Sequence, residues 1–377
     1  MANAVSFDGA APAGTINLGI GQPSADLLPI KLVQAASEAY FQGAHPNDIN
    51  YGDMQGDPRF LESLARYLSG AYGMPTTADE LFVTGGNSQA LDMVSAVFAR
   101  PGDTVFVEEP SYFLAFQIFR DHDLNIVGIP VDKDGIDLEQ LRVELEKHKP
   151  AFVYTIPTYH NPGGQSLSAA RRRQLVEISQ QHDFLIVADE VYQLLPYFNE
   201  PPPALGTMIE SDRVLSLGSF SKILAPGLRL GWIQTSTQLR HRLLTNGFIN
   251  SGGSINHYTS HIVRSAIDLG LLERHVVQLR QAYGLRVEAM DASLQEHFAD
   301  IAQWSRPDGG YFFWLTLSDD VDTSPIKAQA AAHETGFQPG AVFSSMGGLH
   351  NCIRLSFAHY SEDDIRKGVA RLRPLFD

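Results

Sequence analysis

The sequence predicts a three-layer α/β domain built on a mainly parallel sheet, accompanied by a smaller α+β domain. Short apolar runs alternate with amphipathic helical stretches from about Leu81 to Lys222. Those runs are continuous rather than alternating, as in strands covered on both faces. After about Ser254 the pattern changes to long helical stretches followed by two strand-like runs. The expected division is a large domain over residues 48–253, and a small domain made of residues 254–377 with the N-terminal segment 1–47.

The elements follow in order. LFVT (Leu81–Thr84) reads as a strand, closed by Gly85-Gly86 and followed by a helix whose Leu91, Val94 and Phe98 share one face. TVFVEEP (Thr104–Pro110) opens the next unit. AFVYTIP (Ala151–Pro157) leads through a Pro/Gly turn into SAARRRQLVEISQQH, with Ser168 as its N-cap. FLIVADEVY (Phe184–Tyr192) and RVLSLGSFSK (Arg213–Lys222) are further strands with polar ends. Helical stretches around His257–Leu272 and Val276–Phe298 precede the strands GGYFFWLTL and NCIRLSF. A last helix starts at Ser361, with Asp364 at the capping-box position.

Bulk properties narrow the function. With 44% hydrophobic residues the chain can bury a large core, and its net charge is −15. The longest basic run is Arg171–Arg173, which reads as a solvated helix face, so a nucleic-acid partner is not expected. Cys352 is the only cysteine, which excludes an intrachain disulfide and a thiolate metal cluster. The N-terminus MANAVSFDGAAPAG has no basic n-region, and no stretch approaches the roughly 18 apolar residues of a membrane span. A cytoplasmic protein acting on small molecules is the expectation.

Ligands of open α/β sheets collect beyond the carboxyl ends of the strands. Standing there are Gly86-Asn87-Ser88-Gln89, Tyr112, His160-Asn161, Asp189 with Tyr192, and Ser219 to Lys222. TGGNSQALDMV joins a strand to a helix start, either as a simple tight turn or as a cradle for an anion such as phosphate, with Arg229 as counter-charge and Ser219 as donor. Asp189 is either a capping or ion-paired carboxylate, or one that keeps a heteroaromatic nitrogen protonated. Tyr112 and Tyr192 read first as packing aromatics. Lys222 follows the uncharged stretch Val214–Ser221, and no other charge appears before Arg229. Desolvation and a nearby cation lower a lysine's pKa and yield a neutral amine that condenses with an aldehyde. An aldehyde that needs an anion cradle, an aspartate and a Schiff-base lysine is pyridoxal phosphate.

At this point SFSKILAPGLRLGW resembles the cofactor-lysine signature of fold-type I pyridoxal-phosphate enzymes, the aspartate-aminotransferase superfamily. The likeness runs from NLGIGQPSADLLP to NCIRLSF with motifs in the family's order. It is nearest the branch of 2-aminoadipate, kynurenine and other multi-substrate aminotransferases. The resemblance implies that Lys222 forms the Schiff base and acts as acid and base, and that Asp189 pairs with the pyridine nitrogen. It further implies that Tyr192 and Asn161 hydrogen-bond the ring hydroxyl oxygen and that Tyr112 stacks on the ring. Gly86, Asn87 and Ser88, with Ser219 and Arg229, would hold the phosphate, and Arg354 would grip the substrate α-carboxylate near Gly21. Tyr51, in INYGDMQGDPRF, resembles the tyrosine that reaches the partner subunit's phosphate, implying a homodimer with shared active sites.

Some residues depart from the family pattern. The usual Asn-Pro-Thr-Gly turn reads NPGG, so a hydroxyl is lost at Gly163, and Asn87 stands where serine or threonine is common. The N-terminal arginine segment of aminoadipate enzymes is not recognisable. Neutral or aromatic amino acids, with 2-oxoglutarate as a candidate acceptor, are therefore the expected substrates. Rival readings are a β-lyase or decarboxylase on the same fold, a serine hydrolase using Ser88 with Asp189 and His257, and a cofactor-sensing module of a transcription regulator. The regulator reading lacks a recognisable winged-helix segment. GIGQPS lacks the third glycine of a dinucleotide fingerprint. His257 and His261 are spaced i, i+4, but with no Glu after the first and no third ligand nearby they read as ordinary helix histidines, and no metal is expected.

Overall fold

The computed structural model describes residues 14–377. The expectations read from MANAVSFDGAAPAG therefore fall, up to Ala13, outside the described residues. Eight strands form the main sheet, in the spatial order Leu81–Thr84, Gly231–Thr235, Val214–Ser219, Leu185–Asp189, Pro150–Thr155, Thr104–Glu109, Asn125–Asp132 and Gly135–Ile136. The five strands from Val214–Ser219 to Asn125–Asp132 are mutually parallel. Gly231–Thr235 runs antiparallel to both of its neighbours, and Gly135–Ile136 is a short antiparallel edge.

The alternation hidden inside the apolar runs shows up as two cores. Val105, Val107, Phe152, Tyr154, Val187, Leu215 and Leu217 pack on one side of the sheet. Phe106, Ile129, Val153, Ile186, Ala188 and Val214 pack on the other. Successive side chains of a strand point to opposite faces, so a strand apolar at every position needs cover on both. Helices Asn87–Phe98 and Phe113–Asp121 contribute Leu91, Val94, Phe116 and Phe119 to the first side. Helices Leu138–Leu145 and Ala169–His182 contribute Leu141, Leu175 and Ile178 to the second. The layered α/β fold is as the sequence predicts.

Four further strands among the described residues form an antiparallel sheet in the order Ala302–Gln303, Phe312–Leu317, Cys352–Ser356, Gln338–Pro339. The early strand Ile16–Asn17 pairs in parallel with Thr335–Gly336, tying the N-terminal segment to the late part of the chain. Ser168 and Ser361 cap their helices by accepting from the amides of Arg171 and Asp364, as their sequence positions suggest. Among the described residues, no helix is long and apolar enough to cross a membrane.

Candidate active site

Parallel strands bring their carboxyl ends to one edge of the sheet. Asp189 and Ser219 are the last residues of their strands, and Gly86 caps the helix Asn87–Phe98 that follows Leu81–Thr84. Tyr112 precedes the helix Phe113–Asp121, and Asn161 lies in the loop after Pro150–Thr155. The reversed strand begins at this same edge, so Arg229, just before Gly231, arrives there from the other direction.

Asp189 is buried and accepts from the Asn87 amide (Nδ2 to Oδ1, 2.7 Å) and the Tyr154 hydroxyl (to Oδ2, 2.9 Å). Burial pushes its pKa up, against the pull of those two neutral donors and of Lys222. A carboxylate held by neutral donors keeps its charge available for a cationic partner.

Lys222 is partly buried, and its Nζ donates to the carbonyl of Gly21 at 3.2 Å. The ammonium lies over the Tyr311 ring, 4.9 Å from its centroid. Desolvation, helped by the positive field of Arg354 and opposed by Asp189, lowers its pKa to about 8. Such a lysine is neutral in about a tenth of molecules at pH 7, against roughly one in a few thousand for an ordinary one.

Arg354 is buried on the strand Cys352–Ser356 and donates to Asn161 Oδ1 (3.1 Å) and the carbonyl of Gly19 (2.9 Å). Its guanidinium lies 4.1 Å from the Phe312 ring centroid and 4.8 Å from that of Phe343. Burial brings its pKa down to about 10, so it stays charged at neutral pH. Tyr192 is buried beside Tyr311, with ring centroids 5.4 Å apart. Tyr112 has its phenol pushed up to about 12 by burial and the charge of Asp189.

A second group of donors surrounds Gly86. The amides of Asn87 and Ser88 lie in a first helical turn, where no preceding carbonyl of the helix accepts them. Gly86 adopts φ 84°, and a Cβ there would come 3.1 Å from the Arg229 guanidinium, which donates to the carbonyl of Gly85 at 3.2 Å. Ser219 Oγ accepts from the Ser221 amide at 3.1 Å. The side chain of Asn87 differs from expectation: it is turned to Asp189 and to the carbonyl of Leu217 (3.3 Å), so its backbone amide, not its side chain, faces the anion cradle. A carboxamide within reach of a buried carboxylate is drawn to that stronger, charged acceptor.

This donor set fits pyridoxal phosphate: first-turn amides, hydroxyls and Arg229 for the phosphate, Asp189 for the ring nitrogen, and a lysine of lowered pKa for the aldehyde. Residues 13–372 match the family model for aminotransferase class I and II. The chain belongs to this family. It is 33% identical over 363 residues to aromatic-amino-acid aminotransferase 1 of Thermococcus litoralis, a match covering 95% of the chain and 87% of that protein. The crystal structure of the Pyrococcus horikoshii kynurenine aminotransferase, in complex with PMP, superposes with TM-score 0.89 at 31% identity, over 96% and 91% of the two chains. An uncharacterised helix-turn-helix transcriptional regulator of Bacillus subtilis is 28% identical over 95% of this chain and 73% of its own. The protein is a fold-type I, pyridoxal-phosphate-dependent aminotransferase.

In this aminotransferase Tyr51 stands apart from the other residues singled out. It is 84% exposed, and its backbone amide is held by the neighbouring Asn50 side chain (2.9 Å). The hydrolase arrangement is not assembled: Ser88 is exposed, Asp189 is held by Asn87 and Tyr154, and His257 packs against Gly52 and His261. The NPGG turn is pinned by His160, whose carbonyl accepts from Gly164 (2.8 Å) and whose Nδ1 accepts from Gly163 (3.1 Å). The other ring nitrogen, Nε2, lies 3.1 Å from the buried Glu108 carboxylate. The sequence reading missed Tyr154, Tyr311, Phe312 and Phe343. Only GGYFFWLTL hinted at the middle two, through its aromatic density ahead of the arginine strand.

Proposed function

We propose that this aminotransferase moves the amino group of a neutral or aromatic L-amino acid to a 2-oxo acid, with 2-oxoglutarate as a candidate acceptor. The observation that carries the site assignment is the position of the Lys222 amine, under the opposing fields of Arg354 and Asp189 and at a pKa of about 8. Bound pyridoxal phosphate supplies an electron sink for the pair released when the substrate Cα–H bond breaks. Arg354 holds the α-carboxylate with two parallel N–H groups, exchanging Asn161 and Gly19 for the incoming anion. Asn161, freed from Arg354, and Tyr192 would hold the ring hydroxyl oxygen, and Tyr112 would pack on the ring. Gly86, Asn87 and Ser88 present backbone amides to the phosphate with Ser219 and Arg229. Asp189, aligned by Asn87 and Tyr154, keeps the ring nitrogen protonated. Lys222 would take the proton from the substrate Cα onto its Nζ and hold it there for return, a transfer suited to an amine titrating near neutral pH.

The aromatic walls formed by Phe312 and Phe343 around the carboxylate fork support apolar side chains as substrates, as does the likeness to an aromatic-amino-acid aminotransferase. We read residues 48–253 as the cofactor domain and the rest as a small domain that carries Arg354. A homodimer with shared sites is supported by a run of exposed apolar side chains beside Tyr51, including Ile49 (72% exposed) and Met54 (43%). A cytoplasmic setting is supported by the single, buried Cys352.

Lys222→Ala tests the assignment. The variant is expected to lose the visible absorption of lysine-linked cofactor and its turnover with a panel of amino acids. Turnover within tenfold of the parent would remove Lys222 from the chemistry. In the parent, loss of that band on adding an amino acid, with 2-oxo acid released, separates transamination from decarboxylation or β-elimination. A band that no amino acid changes would instead favour the cofactor-sensing role suggested by the regulator relative.

A further inference from the structure

The helix His257–Asp268 carries His257 and His261 one turn apart, and the fold brings to them a third donor from far away in sequence. Asp57, the N-cap of helix Pro58–Tyr72, places one carboxylate oxygen so that a donor atom from each of the three residues lies within 4.8 Å of the others. His261 is fully buried, stacked on Tyr40 at 5.4 Å between centroids, with Nδ1 3.9 Å from Asp57 Oδ1. Neither of its ring nitrogens has a hydrogen-bond partner among the described residues, and neither does the buried Nδ1 of His257. A neutral imidazole always carries one N–H donor and one acceptor, and each left unmade inside a protein costs about 1–3 kcal/mol. Two such rings facing one carboxylate ask for a shared partner.

We propose that Asp57, His257 and His261 bind one divalent transition-metal ion of the zinc class. Two imidazoles and a carboxylate are a donor set that suits zinc or cobalt(II), with water completing the shell. Around a four-coordinate ion at about 2.0–2.1 Å the donors stand roughly 3.3 Å apart, so binding draws these three slightly inward. Charge favours it: Asp48 and Asp57 share a single cation, Arg59, at 2.7 and 3.2 Å.

The site has a consequence for its neighbours. Gly52 accepts from the Ser254 amide at 3.2 Å, and a Cβ at Gly52 would come 2.4 Å from His257 Nδ1. An ion there therefore fixes the loop bearing Tyr51 to the start of helix His257–Asp268. That effect on Tyr51 rests on the shared-site reading above; metal binding itself does not.

The test is calorimetric titration of chelator-treated, dialysed holoenzyme with Zn2+, and a parallel titration with Co2+ followed by its visible d–d absorption. One equivalent per chain is expected, weakened at least about tenfold in both His257→Gln and His261→Gln. No saturable uptake, or uptake that neither variant weakens, overturns the proposal. Should buried His261→Gln fail to fold, His257→Gln decides alone, with circular dichroism reporting its fold. Intact transamination without metal uptake sinks this inference only; metal uptake without transamination sinks the proposed function only.

Discussion

Replacing Arg354 with methionine separates substrate recognition from cofactor binding. Each charged hydrogen bond from the fork to a carboxylate contributes about 1.5–3 kcal/mol, so losing two removes roughly 3–6 kcal/mol. At about 1.4 kcal/mol per decade, kcat/KM for the amino acid falls about 10²- to 10⁴-fold. The loss has a structural side. Asn161 Oδ1 and the Gly19 carbonyl each lose a donor, and each buried acceptor left bare costs about 1–3 kcal/mol of stability. A methionine stem still fills the slot between Phe312 and Phe343, which limits collapse. Arg354 also lowers the pKa of Lys222, second only to desolvation, so the variant's lysine titrates above about 8. The assay is the single-turnover loss of the cofactor's visible band on mixing with an amino acid, followed across pH, with cofactor content measured beside it. A kcat/KM within threefold of the parent, with cofactor retained, refutes the carboxylate role. Loss of cofactor with unchanged amino-acid affinity would move Arg354 to the cofactor side of the site.

Three further outcomes follow from the same geometry. Lys222 is reactive only as the free amine, so the rate of cofactor capture by the apoenzyme climbs as pH passes through about 8 and levels off above; a rise that continues past about 10 contradicts the lowered pKa. Tyr154→Phe removes one of two side-chain donors from Asp189, which then moves further above its usual pKa; cofactor affinity falls about 10- to 100-fold, read by equilibrium dialysis, and unchanged affinity would make the hydroxyl incidental. Tyr51→Phe weakens cofactor retention in a protein that sediments as a dimer, and full activity in a monomer ends the shared-site reading.

The layered fold was legible because strands covered on both faces must be apolar throughout, and runs such as Phe184–Ala188 state this directly. Lys222 and Asp189 stood out for the opposite reason: each is a charge at the end of an apolar run, where burial is costly unless used, whereas Arg354 was named only through the family resemblance. Tyr154 has no such contrast. It sits inside AFVYTIP, where tyrosine passes for another strand aromatic, and only the parallel pairing of Tyr154 with Val187 brings its hydroxyl near Asp189. The direction of the Asn87 side chain was not legible for a related reason, since it answers to Asp189 across the sheet edge rather than to its own helix. Asp57 was not singled out in the sequence at all; it caps a helix, and its histidine neighbours are given by tertiary packing alone.

One local reversal accounts for much of the site. After Val214–Ser219 the chain returns as the antiparallel strand Gly231–Thr235 instead of crossing to another parallel position. The connection between them therefore stays at the carboxyl edge of the sheet for its whole length. Lys222 leaves it three residues after one strand ends, and Arg229 two residues before the next begins. A parallel crossover would have taken the second of these residues to the opposite edge, the length of a five-residue strand away. Arg229 holds its place with φ 46°, in the left-handed region, and points back over Gly86. The loop thus carries the amine and the proposed phosphate counter-charge on one short stretch of backbone, and pairing with Leu81–Thr84 on the far side of Gly231–Thr235 sets that stretch against Gly86. Substitutions that loosen this pairing are expected to weaken phosphate and lysine contacts together, whereas loss of Arg354 leaves the phosphate contacts in place and acts first on the substrate.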